Sequence, residues 1–377
     1  MYIRFNPLDS TTPIQQNTLN PDVSDMQWHL DEPFWRSNCV YGESLFFIRE
    51  SPGVPPESRL LFPPAGPLLL TSASREVQFT SPEDYVIAAD TGIVGLPEGS
   101  RIQFMERAAL YPAVGAEHCM AHKRGDERVG LYFGEGHLFH DRQVEASYDY
   151  HSSWQGFVPR AQLHRLPGSV RKLKAPGPLK ICIIGDSISA GSNASALSRV
   201  PPRMPAYPEL WVEAIRRRRT AEVILKNFAV SGTGMKYGRS VIGAVMDEAP
   251  DLVVIAYGMN DAGFITVEEY LSHATRILDV IKERHRGTEV IFIASMLGNP
   301  EWFYSPTEKF LIFRDALASL PGPGIALADM TSLWGDLLKV KSYHDLTGNG
   351  VNHPNDFGHR LHAQVLLDVL GFGAGAG

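Results

Sequence analysis

Residues 181–191 read Ile181-Cys182-Ile183-Ile184-Gly185-Asp186-Ser187-Ile188-Ser189-Ala190-Gly191. An apolar run rich in β-branched side chains, short enough to be a strand buried on both faces, stops at Gly185-Asp186-Ser187, and small residues follow. The pattern predicts a strand that delivers a serine to the rim of a sheet. A serine hydroxyl is a poor nucleophile by itself, so a chemical role for Ser187 requires a base and an oxyanion hole from later segments.

Downstream of this stretch strands alternate with helices. The predicted strands are 181–185, 222–230, 252–258, 289–296 and 325–330, and the predicted helices are 208–219, 239–248, 267–286, 308–319 and 357–370. The helix at 267–286 is strongly periodic, with Leu271, Ala274, Ile277, Leu278 and Ile281 on one face and Gly287 as its stop. Buried strands with intervening helices imply a doubly wound parallel sheet, in which chemistry lies at the carboxyl ends of the strands.

Upstream the rhythm is different. Residues 1–165 read as short strands at 44–49, 68–71, 76–80, 85–88, 101–104 and 130–133, separated by turns such as Pro63-Pro64, Leu96-Pro97-Glu98-Gly99 and Gly134-Glu135-Gly136, the pattern of an all-β sandwich or jelly roll. A further strand over 143–154 places Val144, Ala146, Tyr148 and Tyr150 on one face. With Trp154 and Phe157 these aromatics are read as sandwich core in preference to a sugar-binding surface. Residues 166–179, rich in proline, glycine and basic side chains, are read as the exposed link, so the domains are 1–165 and 180–377.

The bulk numbers agree with such a chain. Its 377 residues exceed the size at which one core stops growing, and 44% hydrophobic with 20% charged residues excludes a disordered or fibrous protein. A net charge of −7 offers no footprint for nucleic acid. The run Arg216 to Arg219 suits a solvated helix C-terminus. Three cysteines form no paired framework. No segment is apolar enough for a membrane span, and Met1 to Pro7 lacks the apolar core of a secretory signal; the expectation is a cytoplasmic protein, or a secreted one if a leader was removed.

Three later strand ends supply the partners that Ser187 needs. One reads Asn227-Phe228-Ala229-Val230-Ser231-Gly232-Thr233-Gly234, where glycines let backbone N–H groups approach a bound oxygen. Another reads Tyr257-Gly258-Met259-Asn260-Asp261, where an asparagine amide can face a developing oxyanion. Before the last helix stands Gly348-Asn349-Gly350-Val351-Asn352-His353-Pro354-Asn355, with His353 in a loop.

Together these blocks resemble the SGNH (GDSL-type) hydrolase superfamily over roughly residues 180–370, with its Ser, Gly, Asn and His in order. The resemblance implies a flavodoxin-like α/β/α sandwich around a five-stranded parallel sheet, with Ser187 as nucleophile and His353 as general base. It also implies an oxyanion hole made by the backbone N–H groups of Ser187 and Gly232 and the side chain of Asn260. A β domain before such a hydrolase resembles carbohydrate acetylesterases, which implies a serine esterase acting through an acyl-serine on small acyl, above all O-acetyl, esters of a glycan or small molecule. The alternatives are a carbohydrate-binding protein with a decayed hydrolase domain, or a lipid or aryl esterase.

One position departs from the family. The family usually places an aspartate three residues before the histidine, where it orients the imidazole, and here that position is Gly350. Either Asp345 reaches the ring from the preceding loop, or a backbone carbonyl holds Nδ1–H and leaves a Ser–His dyad; the dyad is preferred, because similar esterases with an N-terminal β domain lack the acid. His344, His353, His359 and His362 crowd this region with Asp345 and Asp356, yet no familiar metal spacing or nucleotide fingerprint occurs, so neither metal nor cofactor is expected.

Overall fold

The computed structural model describes residues 28–88, 90–219, 222–320 and 322–373. Residues 1–27 of the expected β domain, including the segment read for a leader, lie outside the described residues.

Five parallel strands form the C-terminal sheet in the spatial order Val223–Asn227, Leu179–Gly185, Leu252–Ala256, Glu289–Ala294, Ile325–Asp329. Ile181, Cys182, Ile183, Ile184 and the run Leu252 to Ile255 have no solvent exposure, as unbroken apolar runs in a sheet covered on both faces require. Helices Tyr207–Arg218 and Asp356–Val369 pack on each other, while Met235–Met246, Val267–Arg284 and Thr307–Ala318 pack in series, completing the α/β/α layers. The Leu179–Gly185 strand lies between the second and third strands of the domain, so the chain leaves it toward one edge and later returns to build the other. The crevice this opens at the carboxyl ends is where ligands bind in such sheets, and Ser187 stands two residues past that strand's end.

Strand and helix limits fall close to the expected ones, and the differences have local causes. The Met235–Met246 helix begins earlier than expected because the Asp261 carboxylate accepts the Met235 N–H at 3.0 and 3.1 Å, capping a turn with no apolar period. The unpredicted helix Met330–Leu337 is started by Asp329, whose side chain accepts the Ser332 N–H at 2.8 Å. No described helix is long and apolar enough to cross a membrane.

The N-terminal domain is a curled, largely antiparallel sheet. Its longest strand, Cys39–Arg49, pairs along its first part with Gln143–Asp149 and at its end with Glu57–Arg59 and Phe104–Glu106, with a register shift between Val40 and Glu43. Tyr148 and Tyr150 are buried in the core, and Trp154 and Phe157 pack against it.

The stretch expected to be an exposed link holds a helix, Pro167–Lys174, whose Leu173 is buried and whose Gly168 and Ser169 N–H groups donate to the Glu289 carboxylate at 2.6 and 2.7 Å. Proline at its start suits a helix's first turn, where the missing N–H has no partner to lose. The two domains share one hydrophobic cluster. Every residue of the Asp356–Val369 helix is buried, because the helix lies between the parallel sheet and the Cys39–Arg49 strand. Its Arg360 donates to the carbonyls of Tyr41 and Gly42. Lys341, fully buried, donates to the Glu43 carboxylate and the Arg59 carbonyl, each at 2.6 Å.

Candidate active site

Ser187 opens a single helical turn, Ser187–Ala190, with Asp186 capping it through the Ile188 N–H at 3.0 Å. The turn is tight: a Cβ at Gly185 would lie 2.3 Å from Ser189 Oγ and 2.9 Å from the Ala256 carbonyl, so no larger residue fits. Burial pushes the Asp186 carboxyl up to about 7. Ser187 Oγ lies 2.8 Å from His353 Nε2, and the two residues are 4% and 6% exposed. In so dry a contact the hydrogen bond is stronger than in water.

The histidine loop is organised by Asn349 and Thr347. Asn349 Oδ1 accepts the N–H groups of Val351, Asn352 and His353 at 3.0, 3.0 and 3.1 Å, while Thr347 Oγ1 donates to the His353 carbonyl at 3.0 Å. This side-chain-to-backbone wrapping replaces a regular element and fixes where the imidazole stands.

The other strand ends are knitted to the first. Phe228 and Val230 donate N–H bonds to the Ile183 and Gly185 carbonyls at 2.8 and 3.0 Å, which carries the Gly232 loop past the end of the serine strand. Gly232 is exposed with φ +76°, and nothing lies within 4 Å of where its Cβ would be. The half-buried Asn260 donates from Nδ2 to the Thr233 carbonyl at 2.9 Å, a bond that uses one of its two amide protons. Behind it, burial raises the Asp261 carboxyl to about 6, and Gly234 lets that carboxylate approach, since a Cβ there would sit 2.4 Å from Asp261 Oδ1.

With this geometry in view, residues 183–361 match the GDSL-like Lipase/Acylhydrolase family. They form a GDSL-like acylhydrolase domain. No curated protein matches the chain. Among solved structures it is similar to a two-domain esterase (CEX) active on acetylated mannans, with 19% identity, a TM-score of 0.45, and coverage of 57% of this chain and 55% of that one. It is also similar to the lipase/acylhydrolase from Enterococcus faecalis, with 24% identity, a TM-score of 0.39 and coverage of 51% and 95%, and to the esterase EstA from Pseudoalteromonas sp., with 17% identity, a TM-score of 0.38 and coverage of 51% and 97%. The chain thus spans about half the length of the two-domain esterase.

Neither arrangement expected around Nδ1 of the GDSL-like domain's histidine is found. Asp345 points away: its carboxylate accepts the Phe46 N–H at 2.7 Å, Ser58 Oγ at 3.0 Å and the Ser342 N–H at 2.9 Å, with Lys341 3.7 Å away. It caps a short turn and holds the domains together. Among the described residues no backbone carbonyl meets Nδ1 either. The imidazole instead faces Asn193 Oδ1 at 2.7 Å and Glu135 Oε2 at 3.3 Å, both side chains that the sequence reading passed over. Asn193 follows Ser187 by six residues, and Glu135 belongs to the N-terminal domain.

The remaining histidines are packed groups. His359 Nε2 lies 3.1 Å from the Ser192 carbonyl and His362 Nδ1 2.8 Å from the Gly358 carbonyl. Burial pushes His344, His359 and His362 down to about 4, 3 and 4. Among the described residues no three His, Cys, Asp or Glu side chains are gathered to hold a metal. A groove of about 410 Å³ lined by Arg165, Leu317 and Asp329 includes neither Ser187 nor His353.

Proposed function

We propose that the protein is a serine esterase that removes small acyl groups, O-acetyl above all, from carbohydrate through an acyl-serine intermediate. The observation that carries this reading is the buried 2.8 Å contact between Ser187 Oγ and His353 Nε2, the arrangement an activated serine needs. Ser187 Oγ attacks the ester carbonyl carbon as its proton passes to His353 Nε2. The tetrahedral oxyanion is held by the backbone N–H groups of Ser187 and Gly232 and the amide of Asn260. The bond from carbonyl carbon to sugar oxygen breaks, and His353 returns the proton to that oxygen. Water then adds by the same path, releasing the carboxylic acid and free Ser187.

Support for a sugar comes from exposed aromatics on the active-site loops. Phe264 and Phe303 are 65% and 60% exposed. Phe264 stacks on Tyr304, with centroids 4.9 Å apart and planes at 10°. Phe264 follows Asn260 closely, its N–H donating to the Asp261 carbonyl, while Asn299, at the root of the Trp302 to Tyr304 loop, donates to the Gly350 carbonyl at 2.9 Å beside the histidine loop. Flat rings left in water at such a rim mark a binding surface, and they suit the apolar face of a pyranose.

Acetate release from a panel of acetylated glycans, with an aryl acetate as reference and an organophosphonate as label, tests the reading. Hydrolysis with an adduct on Ser187, both lost in Ser187→Ala, is expected. Phe264→Ala with Phe303→Ala raises KM for the glycan and leaves the aryl acetate unchanged. Activity that survives Ser187→Ala overturns the acyl-serine route, and a preference for long aryl esters over glycans favours a lipid substrate.

A further inference from the structure

We infer that Glu135, a residue of the N-terminal domain, is the carboxylate that positions His353 and stabilises its imidazolium, so that the reacting site is assembled from both domains. The inference rests on the Ser187–His353 reading above.

The place where the acid is expected is physically taken. Gly350 has φ +90°, and a Cβ on it would lie 2.2 Å from the Tyr132 carbonyl oxygen and 2.7 Å from Phe139 Cζ. The segment that fills this space is the one that brings in a replacement: three residues past Tyr132 the chain turns through Gly134-Glu135-Gly136, with Gly136 at φ +76°, and Glu135 Oε2 arrives 3.3 Å from His353 Nδ1.

The loop is clamped to the histidine side. Gly134 N–H donates to the Asn349 carbonyl at 3.2 Å, and the Gly136 carbonyl accepts from Asn193 Nδ2 at 2.9 Å and Ser198 Oγ at 3.1 Å. Glu135 Oε1 accepts from Asn349 Nδ2 at 3.2 Å, and Asn352 Oδ1 accepts from the same nitrogen at 2.9 Å. Both Asn349 amide protons are thereby used, so Asn349 need not donate to Nδ1 although it lies 3.0 Å away. Nδ1 is then free to carry its own proton toward the oxygens, which leaves Nε2 to accept from Ser187, the tautomer a general base requires.

Two acceptors share that proton and their chemistry divides the work. Asn193 Oδ1, at 2.7 Å, fixes the ring plane but is neutral. Glu135 carries the charge that offsets an imidazolium, and its side chain is 51% exposed, so it can close the 3.3 Å gap as His353 gains its proton. Burial works to raise the Glu135 carboxyl, but the hydrogen bond and charge of His353 carry it below the usual range.

The test uses the full chain with an aryl acetate. Glu135→Gln keeps the shape and the acceptor for Asn349 but removes the charge; it is expected to lower kcat about 10- to 100-fold, less than where the tautomer itself is lost because Asn193 still holds the ring, with KM within about twofold. Glu135→Ala falls at least as far, and added formate, entering through the half-exposed side-chain space, restores part of its kcat while doing nothing for Glu135→Gln or Ser187→Ala. A purely structural Glu135 gives no formate response. Glu135→Gln within about twofold of the parent kcat, with Ser187→Ala inactive, overturns the Glu135 assignment alone. Activity that survives Ser187→Ala overturns both readings.

Discussion

The side-chain amide of Asn260 donates to the carbonyl of Thr233 at 2.9 Å, tying the turn after the Leu252–Ala256 strand to the loop that carries Gly232. The same side chain thus anchors the Gly232 loop and has a second amide proton to offer. Asn260→Ala is expected to lower kcat by about 10²–10³ with a smaller change in KM, since an oxyanion donor acts mainly in the transition state. Steady-state kinetics on an aryl acetate check this; an equal rise in KM with kcat preserved would assign Asn260 to ground-state binding.

Restoring the family's aspartate should damage the protein. Gly350→Asp must place a Cβ 2.2 Å from the Tyr132 carbonyl at φ +90°, and the left-handed backbone alone costs about 1–2 kcal/mol for a non-glycine residue. Urea unfolding should show a loss of at least about 2 kcal/mol, with no gain in kcat. A variant as stable as the parent would mean that the 131–135 segment can step aside.

Stability near the serine should depend on pH with a defined sign. The buried Asp186 carboxyl is held up to about 7 in the fold, against roughly 3.9 in the unfolded chain. Between those values the folded state binds the extra proton, so the protonated carboxyl's contribution is complete below about pH 4 and is lost as pH rises to about 7. Asp261, raised to about 6 by burial, acts in the same direction. In Asp186→Asn the fall in Tm between pH 5 and pH 8 should be shallower, and an unchanged slope would place the titrating group elsewhere.

The buried pair between the domains is a matter of stability. Lys341→Met leaves Glu43, fully buried, with Tyr148 Oη at 2.6 Å and the Leu61 N–H at 2.7 Å but no cation. Breaking one side of such a pair typically costs about 3–5 kcal/mol, whereas neutralising both sides costs far less. Denaturant unfolding of Lys341→Met and of the double variant with Glu43→Gln separates these cases; equal losses would mean the charge of Glu43 is not what destabilises the single variant.

The parallel sheet was legible because strands covered on both faces leave unbroken apolar runs such as 181–184 and 252–255, and a helix with one wet face leaves a 3.6-residue period such as that of 267–284. The Asp356–Val369 helix shows where such patterns stop informing: His359, Arg360, His362 and Asp368 are all buried, and the partners of Arg360 and Asp368, Tyr41 and Gly42 for the one and Trp35 and Arg36 for the other, arrive from another domain. Asp345 was drawn to His353 by nearness in sequence, while its carboxylate is spent on Phe46, Ser58 and Ser342. Glu135 stands 218 positions from the histidine it faces, in a loop with no period to mark it. Its signal was two-part, an acid between glycines and a glycine where an acid was expected, and neither half is informative without the other.

The backbone around Gly350 makes two designs mutually exclusive. A side chain at that position and a β-domain strand passing at Tyr132 compete for one volume, so a chain of this fold can carry its acid three residues before the histidine or dock a domain there in this way, not both. Once docked, the domain cannot be trimmed to give a minimal hydrolase: removing it takes away Glu135 and leaves behind a loop shaped to have no acid of its own. With Glu135 as the partner of His353, the β domain is tied to the hydrolytic step, and the two can be exchanged in evolution or engineering only as a unit.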